Sequence, residues 1–274
     1  MASELSKIVL KKDDLTEAEV YLHGGTVTSW KCKGEEILFV SKQAVFDGKK
    51  AIRGGIPIVF PNFGPWALGP QHGFARTATW KVYKHPQKDK DGNIVAVLLL
   101  EDTEETKKIW DYKFKFWYML TLKDCEFSME ISVENTGSKE FEFTSLLHTY
   151  YNVEVPKVKI QGLQGCNFID KVNGGEHNEE QEFLQISSNV DSVYKKTPNE
   201  LSLFTGNLNI KITKENFPDT VVWNPWIEKA KTMSDFGDDE YQNMVCVEPG
   251  YVAAPYKLQP NETFKAKQIL TCLC

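Results

Sequence analysis

Two side chains 100 positions apart could move a proton between them: His148 in LLHTYYNV and Glu248 in NMVCVEPG. Read as part of a strand, His148 shares its face with Leu146, Tyr150 and Asn152. An imidazole in that setting is either a core histidine with one or two satisfied partners or a site group facing a cavity. Glu248 follows the apolar residues 244–247 and precedes Pro249-Gly250. That predicts a carboxylate at the end of a hydrophobic strand, just before a rigid turn. Partial burial is costly there unless something pairs with the charge. Glu248 therefore either partners an arginine or acts as a general base on a rigid element.

A second concentration of chemistry is AIRGGIPIVFPNFGPWALGPQHGFAR, residues 51–76. It is rich in Gly and Pro, yet carries Arg53, Gln71, His72 and Arg76 among Phe60, Phe63, Trp66 and Phe74. Two arginines suit a phosphate or carboxylate, because each guanidinium donates paired bonds to neighbouring oxygens. Gly54 and Gly55, lacking side chains, would let a ligand approach the backbone. The aromatics could form an apolar wall or a platform for a sugar. The plainer alternative is a long loop pinned by its own aromatics, its arginines paired with nearby acids. Of the other histidines, His85 and His177 lie in charged, turn-like surroundings and read as solvated, and His23 reads as structural.

The elements that would position these groups have a period of two. In CEFSMEISVEN, Phe127, Met129, Ile131 and Val133 alternate with polar residues, which is a strand with one wet face. KFKFWYMLTL before it is aromatic enough to be its antiparallel partner, with Lys123-Asp124 at the turn. IVAVLLLED, EFTSLLHTYYNVEV, LNIKIT, TVVWN, NMVCVEP and TFKAKQILTCL read as further strands. Asp91-Gly92-Asn93, Asn135-Thr136-Gly137, Asn173-Gly174-Gly175, Thr205-Gly206-Asn207 and Pro260-Asn261 read as turns. Helix is confined to residues 103–110 and 226–233, about two turns each. Many short strands with little helix predict an all-β sandwich, as one domain over residues 1–274.

With 41% hydrophobic and 26% charged residues the chain has the composition of a soluble globular protein. The net charge is −6, and lysines are interspersed with acids, so no basic stripe suits nucleic acid. No apolar run is long enough to span a membrane. MASELSKIVLKKDD contains no signal-peptide core, which makes the cytoplasm the default compartment. The six cysteines include no C-x-x-C pair and read as free thiols, mostly buried. The sequence shows no obvious interface pattern, so a monomer is the default.

RGGIPIVFPNFGP, QHGFAR, LLHTYYNV, VDSVY, VVWNPW and CVEPG, in that order, resemble the aldose 1-epimerase (mutarotase) family, and within it the glucose-6-phosphate 1-epimerase branch. The resemblance runs from about Arg53 to Gly250. It implies a large antiparallel β-sandwich of the galactose-mutarotase type. It also implies roles: His148 as general acid, Glu248 as general base, and Arg53, Gln71 and Arg76 as substrate-binding residues, the arginines serving a phosphate. Asp191 would hydrogen-bond sugar hydroxyls, with His72 and Trp223 close by. The implied reaction opens a hexose 6-phosphate ring at C1 and recloses it on the other face, with no metal or other cofactor. A donor and an acceptor on opposite sides of the ring suffice, and a nearby carboxylate or hydrogen bond is expected to favour the His148 imidazolium. The rival readings are an epimerase of free hexoses, a non-catalytic carbohydrate-binding sandwich, and a glycosidase that would need two facing carboxylates.

Overall fold

The computed structural model describes residues 5–273. It is built almost wholly of antiparallel strands in three sheets of nine, eight and four. The nine-stranded sheet contains the hairpin expected from the period-two pattern. Phe114–Leu122 pairs with Glu126–Asn135 through nine consecutive positions, from Phe114 opposite Asn135 to Leu122 opposite Phe127. Phe114, Phe116, Tyr118, Leu120 and Leu122 alternate inward and are fully buried. Three of the five turn signals, at residues 91–93, 173–175 and 205–207, join strands that pair with each other, and those at 135–137 and 260–261 carry the chain from one sheet to another. The first helix, Glu104–Ile109, starts from a reciprocal cap: the Thr106 amide donates to Thr103 Oγ1, and the Thr103 amide donates to Thr106 Oγ1. The second is Trp226–Lys231.

The eight-stranded sheet carries the candidate site. Its central strand, Met244–Leu258, is bordered on one side by Asp219–Asn224 and on the other by Phe141–Leu147 and then Tyr150–Asn152. Alternation assigns its residues to two faces. Val245 and Val247 join the main core shared with the nine-stranded sheet. Met244, Cys246 and Glu248 take the opposite face.

Three local expectations change. Glu248 does not end its strand: pairing continues through Pro249, opposite Thr220, and Gly250, opposite both Asp219 and Leu146. Gly250 is there for close packing, since a Cβ would lie 2.5 Å from Leu146 Cβ. His148 is not within a strand, because the chain leaves the sheet at His148 and Thr149 and rejoins it at Tyr150. Across this break the His148 amide donates to the Pro57 carbonyl and the Tyr150 amide to that of Gly55. Gly54 and Gly55 admit neighbouring backbone, not a ligand. Their φ angles are 123° and 66°. A Cβ would lie 2.4 Å from the Phe39 carbonyl oxygen at the first and 2.0 Å from that of Val27 at the second.

Among the minor expectations, His85 and His177 are exposed but lie in strands, Lys81–Lys88 and Glu176–Asn178. His23 is buried, with Nε2 2.7 Å from the Lys50 carbonyl oxygen. Cys32, Cys125, Cys166, Cys246 and Cys272 are in no disulfide, three of them being buried, and Cys274 lies outside the described residues.

Candidate active site

Two rows of side chains cross the outer face of the eight-stranded sheet. One runs Val193, Val221, Glu248; the next runs Asp191, Trp223, Cys246, Tyr150. Loop residues close over these rows and leave a cavity of about 260 Å³. All eight candidate catalytic and binding residues line it: Arg53, Gln71, His72, Arg76, His148, Asp191, Trp223 and Glu248. Of the four loop aromatics only Phe63 does, since Phe60 and Phe74 are buried in the main core and Trp66 packs against it. The fold brings them there from six segments of chain.

At its floor, His148 Nδ1 lies 3.4 Å from Glu248 Oε1. Both side chains are nearly or fully buried, and neither His148 Nδ1 nor either Glu248 oxygen has a hydrogen-bond partner. The imidazole is positioned by its faces and edges. It stacks on Tyr150, with centroids 4.7 Å apart and planes 12° apart, and meets Trp223 and His72 edge-on. The 3.4 Å spacing corrects the picture of two groups flanking a sugar ring. They converge, and so can address two oxygens bonded to the same carbon.

Their proton affinities also depart from expectation. Burial pushes the Glu248 carboxyl well up, and Asp191 adds to this while Lys171 opposes it. Burial likewise pushes His148 well down, reinforced by His72, Arg76 and Arg53. The surroundings therefore do not favour an imidazolium. Among the described residues Glu248 is the one carboxylate ion-paired with His148, and Arg53, Arg76 and Lys171 lie around the pair. With one proton shared between them, the site still holds one donor and one acceptor.

The two arginines differ. Arg53 Nε contacts Asp235 Oδ1 at 3.2 Å and Nη1 donates to Tyr150 Oη at 3.2 Å. Burial opposes its charge, but Tyr150 and Asp235 more than offset that. Among the described residues Arg76 has no carboxylate partner; its Nη2 donates to the Gln71 carbonyl at 2.7 Å. Burial, with Arg53 nearby, lowers it to about 10, leaving it cationic at neutral pH. It is a guanidinium in want of an anion. His72 accepts the Gly64 amide at Nδ1, 3.1 Å away. Burial, then Arg76, Lys171 and Arg53, push it down to about 3, so this ring is neutral.

The sequence reading missed several residues of the site. Lys171 pairs with Asp191 at 3.2 Å and sits over the Phe63 ring. Lys229 and Met233 approach from the short second helix and the turn beyond it, and Asp235 buttresses Arg53. Nothing local marks the two lysines. The one available signal for Asp235 was a short acidic stretch close in sequence to VVWNPW.

The aldose 1-epimerase family profile matches residues 6–271. The chain belongs to the aldose 1-epimerase family. Over 99% of its length it is 39% identical to a protein of Cenchrus ciliaris, covering 86% of that protein. Over 93% it is 37% identical to one from Escherichia coli (strain K12), again covering 86%. Both relatives are provisionally named glucose-6-phosphate 1-epimerases. A crystal structure from Salmonella typhimurium, described provisionally as a mutarotase, superposes with a TM-score of 0.90 at 30% identity, covering 99% of this chain and 92% of that one. Galactose 1-epimerase from Lactobacillus acidophilus NCFM shares the fold at 15% identity, with a TM-score of 0.75 and coverage of 98% and 94%. The fold is thus the antiparallel sandwich of galactose mutarotases.

Proposed function

We propose that the protein is an isomerase interconverting the α and β anomers of hexose 6-phosphates, glucose 6-phosphate foremost. The observation that carries this reading is the unpartnered His148–Glu248 pair beneath an arginine that has no acid of its own. A buried pair left without hydrogen bonds is costly unless a ligand completes it. The cavity is small for a drug-sized ligand and has room for one sugar.

In the reaction one member of the pair takes the proton from the C1 hydroxyl as the C1–O5 bond breaks. The other delivers a proton to O5. The aldehyde turns about C1–C2 and the ring recloses with the roles reversed. The pair begins and ends with the same proton count. Burial is the larger cause of the lowered His148, and a dianionic phosphate beside Arg76 offsets the positive field that reinforces it, which raises the imidazole's proton affinity once substrate is bound. With the shared proton on His148, Glu248 is the base and His148 the acid for the opening step. Arg76, assisted by the remaining donor capacity of Arg53, takes the phosphate. Asp191, steadied by Lys171, accepts from sugar hydroxyls; Trp223, Gln71 and His72 shape the walls.

Anomer exchange measured by NMR on glucose 6-phosphate, mannose 6-phosphate, glucose and galactose tests the reading. Acceleration confined to the 6-phosphates is expected. Equal acceleration of free hexoses would reassign the arginines, and no acceleration would overturn the activity.

A further inference from the structure

The proton chemistry employs His148 and Glu248 but gives no task to the titratable group beside them. Cys246 is two residues before Glu248 on the same strand and the same face, and it is fully buried. A ring nitrogen of His148, the Cys246 sulfur and a Glu248 oxygen all lie within 4.8 Å of one another. His148 Nδ1 and both Glu248 oxygens lack hydrogen-bond partners, although both residues are more than nine-tenths buried.

Thiolate, imidazole and carboxylate together are a donor set for zinc-like cations. Such ions take sulfur, nitrogen and oxygen in a tetrahedron and often leave a fourth position open. Metal–ligand bonds of about 2.0–2.3 Å place tetrahedral donors roughly 3.5 Å apart. His148 and Glu248 already stand 3.4 Å apart, so the thiol needs to approach by about 1 Å, within reach of side-chain rotation. Charge fits as well. A divalent cation with one thiolate and one carboxylate forms a neutral unit, which the neighbouring Arg53 and Arg76 do not repel. Magnesium and calcium, which require several oxygen ligands, find one carboxylate here.

We propose that His148, Cys246 and Glu248 form a binding site for a thiophilic divalent cation of the zinc class, and that filling it excludes the sugar. The cation would occupy both proton carriers at once, so the enzyme is switched off reversibly and in competition with substrate. The effect on catalysis rests on the epimerase reading; the cation binding does not.

The test is to titrate the chelator-washed protein with Co²⁺ and follow the thiolate-to-cobalt charge-transfer band. Anomer exchange on glucose 6-phosphate is followed in parallel with Zn²⁺ present. The wild type and Cys272→Ser should both develop the band, and Zn²⁺ should abolish it. Cys246→Ser should show no band, keep its anomer exchange, and tolerate at least the roughly 10- to 100-fold more Zn²⁺ that losing even an outer-shell partner costs elsewhere. His148→Asn, a second ligand variant, should weaken cobalt binding should Cys246→Ser fold poorly. Absence of the band in wild type, its persistence in Cys246→Ser, or equal Zn²⁺ inhibition of both proteins would overturn the proposal. A band that depends on Cys246 in a protein without anomer exchange would keep the cation site and sink the epimerase reading.

Discussion

Asp219 and Glu248 are two buried carboxylates on adjacent strands, two steps apart on one ladder: Asp219 pairs with Gly250 and Val221 with Glu248. Only 3% and 1% of their surfaces are exposed, yet their surroundings are opposite. Asp219 Oδ2 accepts the amides of Val252 and Ala253 at 3.0 and 2.8 Å, and Oδ1 accepts that of Lys196 at 3.3 Å. Nearby, the buried Lys214 ammonium donates to the carbonyls of Thr197 and Phe217. Glu248 receives no hydrogen bond. Asp219 is complete within the fold and ties one turn to the sheet. Glu248 is left incomplete, and in the function proposed above a substrate supplies what is missing. Equal burial therefore says little about role; the hydrogen-bond account separates them.

Four experiments would break or sharpen that contrast. The largest effect is expected from Glu248→Gln, which should lower anomer exchange by about 10²- to 10⁴-fold while leaving the thermal midpoint undiminished. A large loss of stability would make Glu248 a second Asp219. Asp219→Ala should do the reverse. Losing its charged hydrogen bonds and stranding their donors should cost about 3 kcal/mol in urea unfolding, with exchange per folded molecule unchanged. Arg76→Ala should weaken glucose 6-phosphate by about 10- to 100-fold, the equivalent of one charge-assisted hydrogen-bonded contact, and leave free glucose unaffected. Equal losses on both would make Arg76 structural.

The smallest effect concerns pH. The carboxyl of Glu248 is raised in the folded state above its usual 4.5. Its contribution to stability is thus fully present below that value and is lost as pH rises through the folded one. Glutamine has no such loss. The midpoint of Glu248→Gln should therefore exceed that of wild type by an amount that grows as pH rises above 4.5. His148, depressed by burial and nearby cations, contributes the opposite slope to both proteins and largely cancels in the difference. A constant gap would mean that something pairs with Glu248 after all.

Much of the architecture was legible because strands with one wet face write a period of two, as Phe127 to Val133 do. Turn residues marked connections such as Asn173-Gly174-Gly175, whereas the four-stranded sheet, from Lys7–Lys11 to Glu35–Glu36, was not read from the sequence. What escaped was decided by tertiary pairing. Pro249-Gly250 has the composition of a turn, and only the neighbouring strands make it extended. His148 looked like a strand residue because apolar neighbours continue on either side of it; the break depends on Gly55 and Pro57, some 90 residues earlier in the chain. The eight candidate site residues come from motifs that can be read locally. Lys171, Lys229 and Asp235 lie in turns and a short helix that look like ordinary surface, and no local pattern reports what the fold sets beside them.

The extended path through Pro249-Gly250 also fixes when Glu248 can move. Residues 244–246 pair with Tyr150–Asn152 and residues 246–250 with Asp219–Asn224, so residues 245–248 cannot open without separating two neighbouring strands. In hydrogen-exchange terms their amides belong with the slowest, global unfolding unit. The Gln71–Arg76 segment is tied down as well, since Phe74 and Ala75 are buried in the main core and their amides donate to the Phe60 carbonyl. The proposed anion contact and the proposed proton carriers thus stand on backbone anchored in the folded interior.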